Sequence, residues 1–159
     1  MKLSTKGRYG LKAMLDLAVH CNEGQIALKS IAERQELSEN YLEQLFAALK
    51  KAKLVRSVRG SQGGYSLGRS PEKITVGDIL RTLEGSMSPT DCVSENCETH
   101  HCSNSDCCVT RNVWEKIRDG INNVIDNITL QELVDDYNSS NEALNSQVED
   151  VTTDVLRQD

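Results

Sequence analysis

The chain has 159 residues, and 18 Lys+Arg against 24 Asp+Glu give a formal charge of −6, a balance that at first sight excludes a nucleic-acid binder. The exclusion fails once the charge is placed: residues 1–81 carry 14 Lys+Arg against 8 Asp+Glu, a net of +6, and residues 82–159 carry 4 against 16, a net of −12. A basic module is joined to an acidic one.

In chain order, residues 8–20 read as a helix with Leu11, Met14, Leu15 and Ala18 in one apolar stripe. Residues 26–35 form a second helix with Leu28, Ile31 and Ala32 inward, and Glu36-Leu37 turns the chain. Ser38 is the predicted N-cap of a third helix running to about Ala52, its inward stripe Leu42, Leu45, Phe46 and Leu49. Residues 55–58 and 65–67 are β-patterned and flank Arg59-Gly60-Ser61-Gln62-Gly63-Gly64, a glycine-rich hairpin tip. Thr75 with Asp78 predicts a capped fourth helix whose face is Val76, Ile79, Leu80 and Leu83. Residues 85–108 show no helical period and read as a long loop, a type that is usually functional or disordered. A long helix resumes near Val109, with Val113, Ile117, Ile121, Val124 and Ile128 recurring every three or four residues. Thr129-x-x-Glu132 predicts a cap for a short last helix to about Tyr137. Residues 139–159 are acidic and read as a mobile tail. The expected division is 1–84, 85–108, 109–138 and 139–159.

No apolar run approaches the ~18 residues of a membrane span, and residues 1–6 lead into polar sequence without an apolar signal core. The expected compartment is the cytoplasm, where the six cysteines are not expected to form a disulfide framework.

Three short helices and then a hairpin with a basic tip is the order of a winged helix-turn-helix, so the expected fold is mainly α with a small β wing. One helix must enter the major groove with polar side chains outward. On the third helix Asn40, Glu43, Gln44, Ala47 and Lys51 lie opposite the leucine stripe. Ser38, Asn40, Tyr41, Glu43 and Gln44 stand near its start, where bases are read; Glu43 can accept from cytosine N4 and Gln44 can pair with adenine. Arg56, Arg59 and Gln62 put the wing against phosphates or the minor groove. Lys2, Ser4, Thr5, Lys6 and Arg8 would reach the DNA backbone beside the first helix.

These segments carry a family likeness. Leu3-Ser4-Thr5-Lys6-Gly7-Arg8-Tyr9-Gly10, Leu37-Ser38-Glu39-Asn40-Tyr41-Leu42-Glu43-Gln44-Leu45 and Val58-Arg59-Gly60-Ser61-Gln62-Gly63-Gly64-Tyr65 resemble the bacterial IscR/NsrR/CymR family of winged-helix transcription regulators. The likeness continues through Thr75-Val76-Gly77-Asp78-Ile79, Leu83-Glu84-Gly85 and Asn127-Ile128-Thr129-Leu130, over roughly residues 1–137. It implies a homodimer whose long helix, with Val113, Ile117, Ile121, Val124 and Ile128, meets the partner, and whose two winged helices read a pseudo-palindromic operator. Packing of that helix on its own domain is the alternative.

Cys92, Cys97, Cys102, Cys107 and Cys108 fall in 17 residues with His100 and His101 among them. Soft thiolates at this density suit an iron–sulfur cluster or zinc, or, without metal, thiol sensing of oxidants. Cys21 reads as a small buried hydrophobe at a helix end. Resemblance to the IscR branch implies a [2Fe–2S] cluster on Cys92, Cys102 and Cys108. The spacing from Cys92 to Cys102 is longer than in that pattern, and Arg111 stands where a histidine is usual. The fourth ligand is therefore open among Cys97, His100, His101 and Cys107. Arg8 stands where the nitric-oxide-sensing branch has an acidic ligand. The expected function is a transcription regulator, read as a repressor, modulated by cluster or thiol state; the alternative is a cluster-free regulator of cysteine and sulfur metabolism controlled by a partner protein or thiol oxidation. An enzyme is not expected, since no C-x-x-C opens a helix beside a βαβ pattern.

Overall fold

The computed structural model describes residues 3–60, 63–94 and 108–155, with side chains through Leu144. Among them are α1 (Thr5–Val19), α2 (Leu28–Gln35), α3 (Glu39–Lys51), the antiparallel strands β1 (Val55–Val58) and β2 (Gly64–Leu67), α4 (Val76–Glu84), α5 (Arg111–Asn127) and α6 (Leu130–Val155). This is the mainly helical fold with a small wing that the sequence predicts.

The core lies among α1, α2, α3 and the wing. Met14, Leu17, Ile31, Leu42, Phe46 and Leu49 are fully buried there, and Phe46 meets Tyr65 edge-on at 4.8 Å. Truncating such an aromatic to Ala costs about 3–5 kcal/mol. The α1 stripe is rotated from the expected one: Ala13 and Leu17 are inside and Leu15 is only half-buried, because α1 is covered on two sides, by α2 and α3 and by α4. Asp16 is also buried, at 6% exposure, and accepts from Arg34 Nε (3.0 Å), Arg34 Nη2 (2.6 Å) and Gln35 Nε2 (2.9 Å). A buried carboxylate is tolerable only when so paired. The pairing locks α1 to α2, and hydrogen bonding to Asp16 raises the Arg34 pKa against the opposing effect of burial.

Both helices of the helix-turn-helix end alike. Glu36 (φ 53°) and Lys53 (φ 60°) are left-handed. The next residue's N–H then bonds back to the helix, Leu37 to Ala32 O at 2.9 Å and Leu54 to Leu49 O at 2.9 Å. Satisfied terminal carbonyls and a leucine folded onto the core fix the tight turn. Beyond β1, residue 64 must be glycine, since a Cβ there would lie 2.6 Å from Ile26 O. That approach lets Ile26 add a bridge to β2, with Ile26 N–H to Tyr65 O at 2.9 Å.

The Thr75 and Asp78 capping box forms as predicted. Thr75 also bridges Thr129, with Val76 N–H to Ile128 O at 2.9 Å and Leu130 N–H to Ile74 O at 2.8 Å. This clasp fastens the α5–α6 junction to the winged half.

Three expectations are corrected. The last helix does not end near Tyr137, and the expected tail is helical as far as Val155. Polar composition suggested a loop, but Ser139 and Ser140 return their hydroxyls to Asp135 O (2.9 Å) and Asp136 O (2.8 Å), so they do not compete with the helix. Cys21 is exposed rather than buried, because α1 ends at Val19 and Cys21 begins a separate 3-10 turn, Cys21–Glu23. Finally, residues 85–94 are folded rather than loose: Met87 is buried and Asp91–Val93 is a 3-10 turn.

Candidate nucleic-acid interface and cysteine segment

The outer face of α3 is open. Asn40, Glu43, Gln44, Ala47 and Lys51 are exposed opposite the buried leucines. Ser38 is exposed too; it stands at the predicted N-cap position, but its side chain makes no capping bond. Arg56 and Arg59 are exposed on the wing, and Lys6 and Arg8 on α1. Lys2 and Gln62 lie outside the described residues.

The remaining candidates are engaged internally. Tyr41 Oη donates to Thr5 Oγ1 at 3.3 Å, and the Tyr41 ring meets Tyr9 edge-on at 6.2 Å. This pair ties the start of α1 to the start of α3, so the exposed Lys6 stands one residue from a hydroxyl held on the reading helix. Ser4 Oγ accepts from Lys6 N at 3.1 Å as the N-cap of α1.

Glu84, at the end of α4, organises the same segment, a role sequence reasoning missed. Its carboxylate accepts from Ser4 Oγ (2.7 Å), Ser4 N (3.1 Å) and Gly7 N (2.7 Å). Burial pushes the Glu84 carboxyl up, but those hydrogen bonds and the Lys6 charge outweigh it and hold the pKa below the usual carboxylate value. A Cβ on residue 7 would sit 2.6 Å from Glu84 Oε1, so a side chain there would displace the carboxylate from its amides.

Sequence reasoning also passed over Lys50, Lys53 and Arg69. With Arg56, Ser57 and Gly68 they line an open hollow of about 640 Å³ between the end of α3 and the wing. Lys50 Nζ donates to Ser57 Oγ, and Arg69 reaches Asp78 at 3.5 Å. The signal was the run of cations over residues 50–59, which concentrates positive charge beside the end of α3.

The α5 stripe divides. Ile121 and Ile128 pack with Ile125 against Val76, Leu80 and Met87 on their own domain. Val113 (51% exposed), Ile117 (40%) and Val124 (57%) face outward. Arg81 of α4 braces the inner face by reaching both Asp126 oxygens (2.7 and 2.6 Å) and Asn122 Oδ1 (3.2 Å).

Of the cysteine candidates, Cys92 and Cys108 are described, and Cys97, His100, His101, Cys102 and Cys107 lie outside the described residues. Among the described residues no group of three or more His, Cys, Asp or Glu is placed to hold a metal. Cys92 and Cys108 both lie on segments whose backbone meets α5. Cys92 sits in the 3-10 turn beside Val93, which is buried and whose carbonyl accepts from Arg118 Nη1 of α5 at 3.1 Å. Cys108 lies three residues before the start of α5, and its carbonyl accepts from Arg111 N at 3.1 Å. The Thr110 hydroxyl, 3.2 Å from Cys108 Sγ, and the Arg111 amide lower the Cys108 pKa. This favours the thiolate, the form that ligates metals and reacts with oxidants.

Comparison with known proteins agrees. Residues 3–136 match the family model of Rrf2, described as an iron-dependent transcriptional regulator. The chain is 47% identical over 143 residues to the HTH-type transcriptional regulator CymR of Bacillus subtilis, covering 90% of this chain and 96% of that protein. The solved structure of that protein, the global cysteine regulator of B. subtilis, superposes with a TM-score of 0.69 over 85% of this chain and 97% of that one. It is 45% identical over 134 residues to the HTH-type transcriptional regulator IscR of Pectobacterium carotovorum, covering 84% of this chain and 79% of that protein. The structure of T. potens IscR is 52% identical, with a TM-score of 0.68 over 86% of this chain and 88% of that one. No helix among the described residues is long and apolar enough to cross a membrane. The chain belongs to the Rrf2 family of transcriptional regulators.

Proposed function

We propose that this regulator is a homodimer that reads a pseudo-palindromic operator with paired α3 helices and wings, and that the state of its cysteine segment sets operator affinity. The observation that carries the reading is the backbone contact of the Cys92 and Cys108 segments with α5. Cys108 leads into the helix, and Cys92 is held to it through Val93 and Arg118. Whatever binds or modifies residues 92–108 therefore acts on the helix whose outer face presents Val113, Ile117 and Val124. That face is apolar and would bury itself against a second copy, which fixes the spacing of the two reading helices.

A [2Fe–2S] cluster on Cys92, Cys102 and Cys108 is the sensing group in this reading, with the fourth ligand drawn from Cys97, His100, His101 or Cys107. Such a cluster supplies one-electron redox chemistry and sensitivity to oxygen. Cys108, biased toward thiolate, is suited to ligation. Repression is the expected sign, because a dimer clamped on an operator blocks it.

Anaerobic purification, iron and sulfide content per chain, and visible spectra test the cluster. Operator affinity is then measured with the cluster intact, removed, and in the Cys92→Ala/Cys102→Ala/Cys108→Ala chain. The expected change is at least tenfold, about 1.4 kcal/mol. Equal affinity in all three forms defeats the switch. The second reading, a cluster-free regulator answering to thiol oxidation or a partner protein, draws on the likeness to the cysteine regulator and on the same Cys108 environment. It is favoured if the anaerobic protein holds neither iron nor sulfide.

A further inference from the structure

Helix α6 is longer than the domain needs. Leu130, Leu133 and Val134 seat its first turns in the core, and the family match ends at residue 136. The helix nevertheless runs on to Val155, and residues 138–155 add about 27 Å at 1.5 Å per residue. Tyr137 borders a pocket with Lys12, Leu15 and Val19 of α1 and Gln35 of α2 yet stays 42% exposed, and Leu144 is 60% exposed.

The sequence along this extension is patterned. Tyr137, Asn141, Leu144, Val148, Val151 and Val155 are separated alternately by four and three residues, the 3.5-residue repeat that turns one helical seam toward a left-handed supercoil partner. Asn141, Val148 and Val155 take the a positions, and Tyr137, Leu144 and Val151 the d positions. Val148 at a beside Leu144 at d suits two parallel strands, and a single Asn at a fixes register and two-fold pairing because it hydrogen-bonds to its own counterpart across the axis.

The flanks identify the partner. In a parallel pair the facing flank positions are 140 with 145 and 147 with 152, occupied by Ser140, Asn145, Gln147 and Thr152. None is charged. The acids Glu142, Glu149 and Asp150 take b and c positions of the repeat, off the seam, and Asp154 has no facing position within the helix. A helix this acidic can therefore pair with a copy of itself without like charges meeting at the seam, whereas a basic partner helix would find no acidic flank to recognise.

We propose that residues 137–155 form a parallel, two-stranded coiled coil between two copies of this chain. The inference rests on the dimeric reading of α5. A seam of about two and a half heptads is weak alone, and it gains strength where α5 has already brought the second copy near.

Sedimentation equilibrium of the full chain tests this against a chain ending at Tyr137, Leu144→Asp, Asn141→Val and Ala143→Gln. Truncation and Leu144→Asp should each weaken self-association at least tenfold. Asn141→Val should tighten it at least tenfold, a gain that an unpaired solvated helix would not show. Ala143→Gln, off the seam, should leave it unchanged. Association constants unmoved by truncation, Leu144→Asp and Asn141→Val overturn the coiled coil while leaving the α5 dimer standing. A full chain that stays monomeric at every concentration overturns the α5 reading itself.

Discussion

The winged half and the α5–α6 half differ in how completely they satisfy themselves. Residues 3–84 close a core around Phe46, pair the buried Asp16 with Arg34 and Gln35, and leave polar or basic side chains outside. The second half borrows its inner packing from the first, through Ile125 against Val76 and Leu80, and turns Val113, Ile117, Val124 and Leu144 to solvent. The contrast separates a part that closes its own core from a part that leaves apolar faces open, where a second copy is proposed to pack. It also explains how −12 of charge can coexist with DNA binding: the acids lie mostly on the half that does not carry the reading helix.

The largest effect should come from charging the open face of α5. Ile117→Asp with Val124→Asp places two carboxylates where a second copy is proposed to pack, and both positions are already exposed, so the monomer should keep its fold and thermal midpoint. Operator affinity should fall at least 100-fold, about 2.7 kcal/mol, alongside a monomeric sedimentation profile. A dimer of normal affinity would show that the second half finds its partner elsewhere.

The converse change should spare the dimer and blunt the reading. Gln44→Ala with Arg59→Ala removes one candidate base contact and one wing cation. A good base contact contributes about 1–3 kcal/mol, so operator binding should weaken roughly 5- to 150-fold. Discrimination at one base position should relax, and the salt slope should become shallower by about one phosphate per subunit. Unchanged specificity on a randomised site would move base reading away from Gln44.

The two halves were also unequally legible. The winged half announces itself locally: the Leu42, Leu45, Phe46 and Leu49 period, the Thr75–Asp78 box and the glycine-rich tip each act within a few residues. The body depends on distant packing. The five-residue stripe on α5 merges two faces, and only the position of Val76, Leu80 and Met87 decides that Ile121 and Ile128 turn inward while Ile117 turns out. Composition misled at α6, where serines that bond back to their own helix read as loop. Glu84 was hidden for another reason: its partners Ser4 and Gly7 are nearly eighty residues away in sequence, and no spacing reveals them.

The smallest predicted effect lies on that carboxylate and carries a sign in pH. Glu84 holds Ser4 and Gly7, and its folded pKa lies below the ordinary carboxyl value of 4.5. A depressed carboxyl contributes stability that is present above the ordinary pKa and is lost as pH falls through the depressed one. Glu84→Gln keeps an acceptor oxygen but removes the charge, so it should cost about 1 kcal/mol at pH 7. The gap to the unsubstituted chain should narrow as the pH drops below 4.5, because both then present a neutral acceptor to the same amides. Urea titrations at pH 7 and in mild acid measure it. Since Lys6 is held on the segment Glu84 organises, the variant should also weaken operator binding slightly while leaving dimer affinity unchanged. A pH-independent gap would mean that Glu84 works through its shape alone.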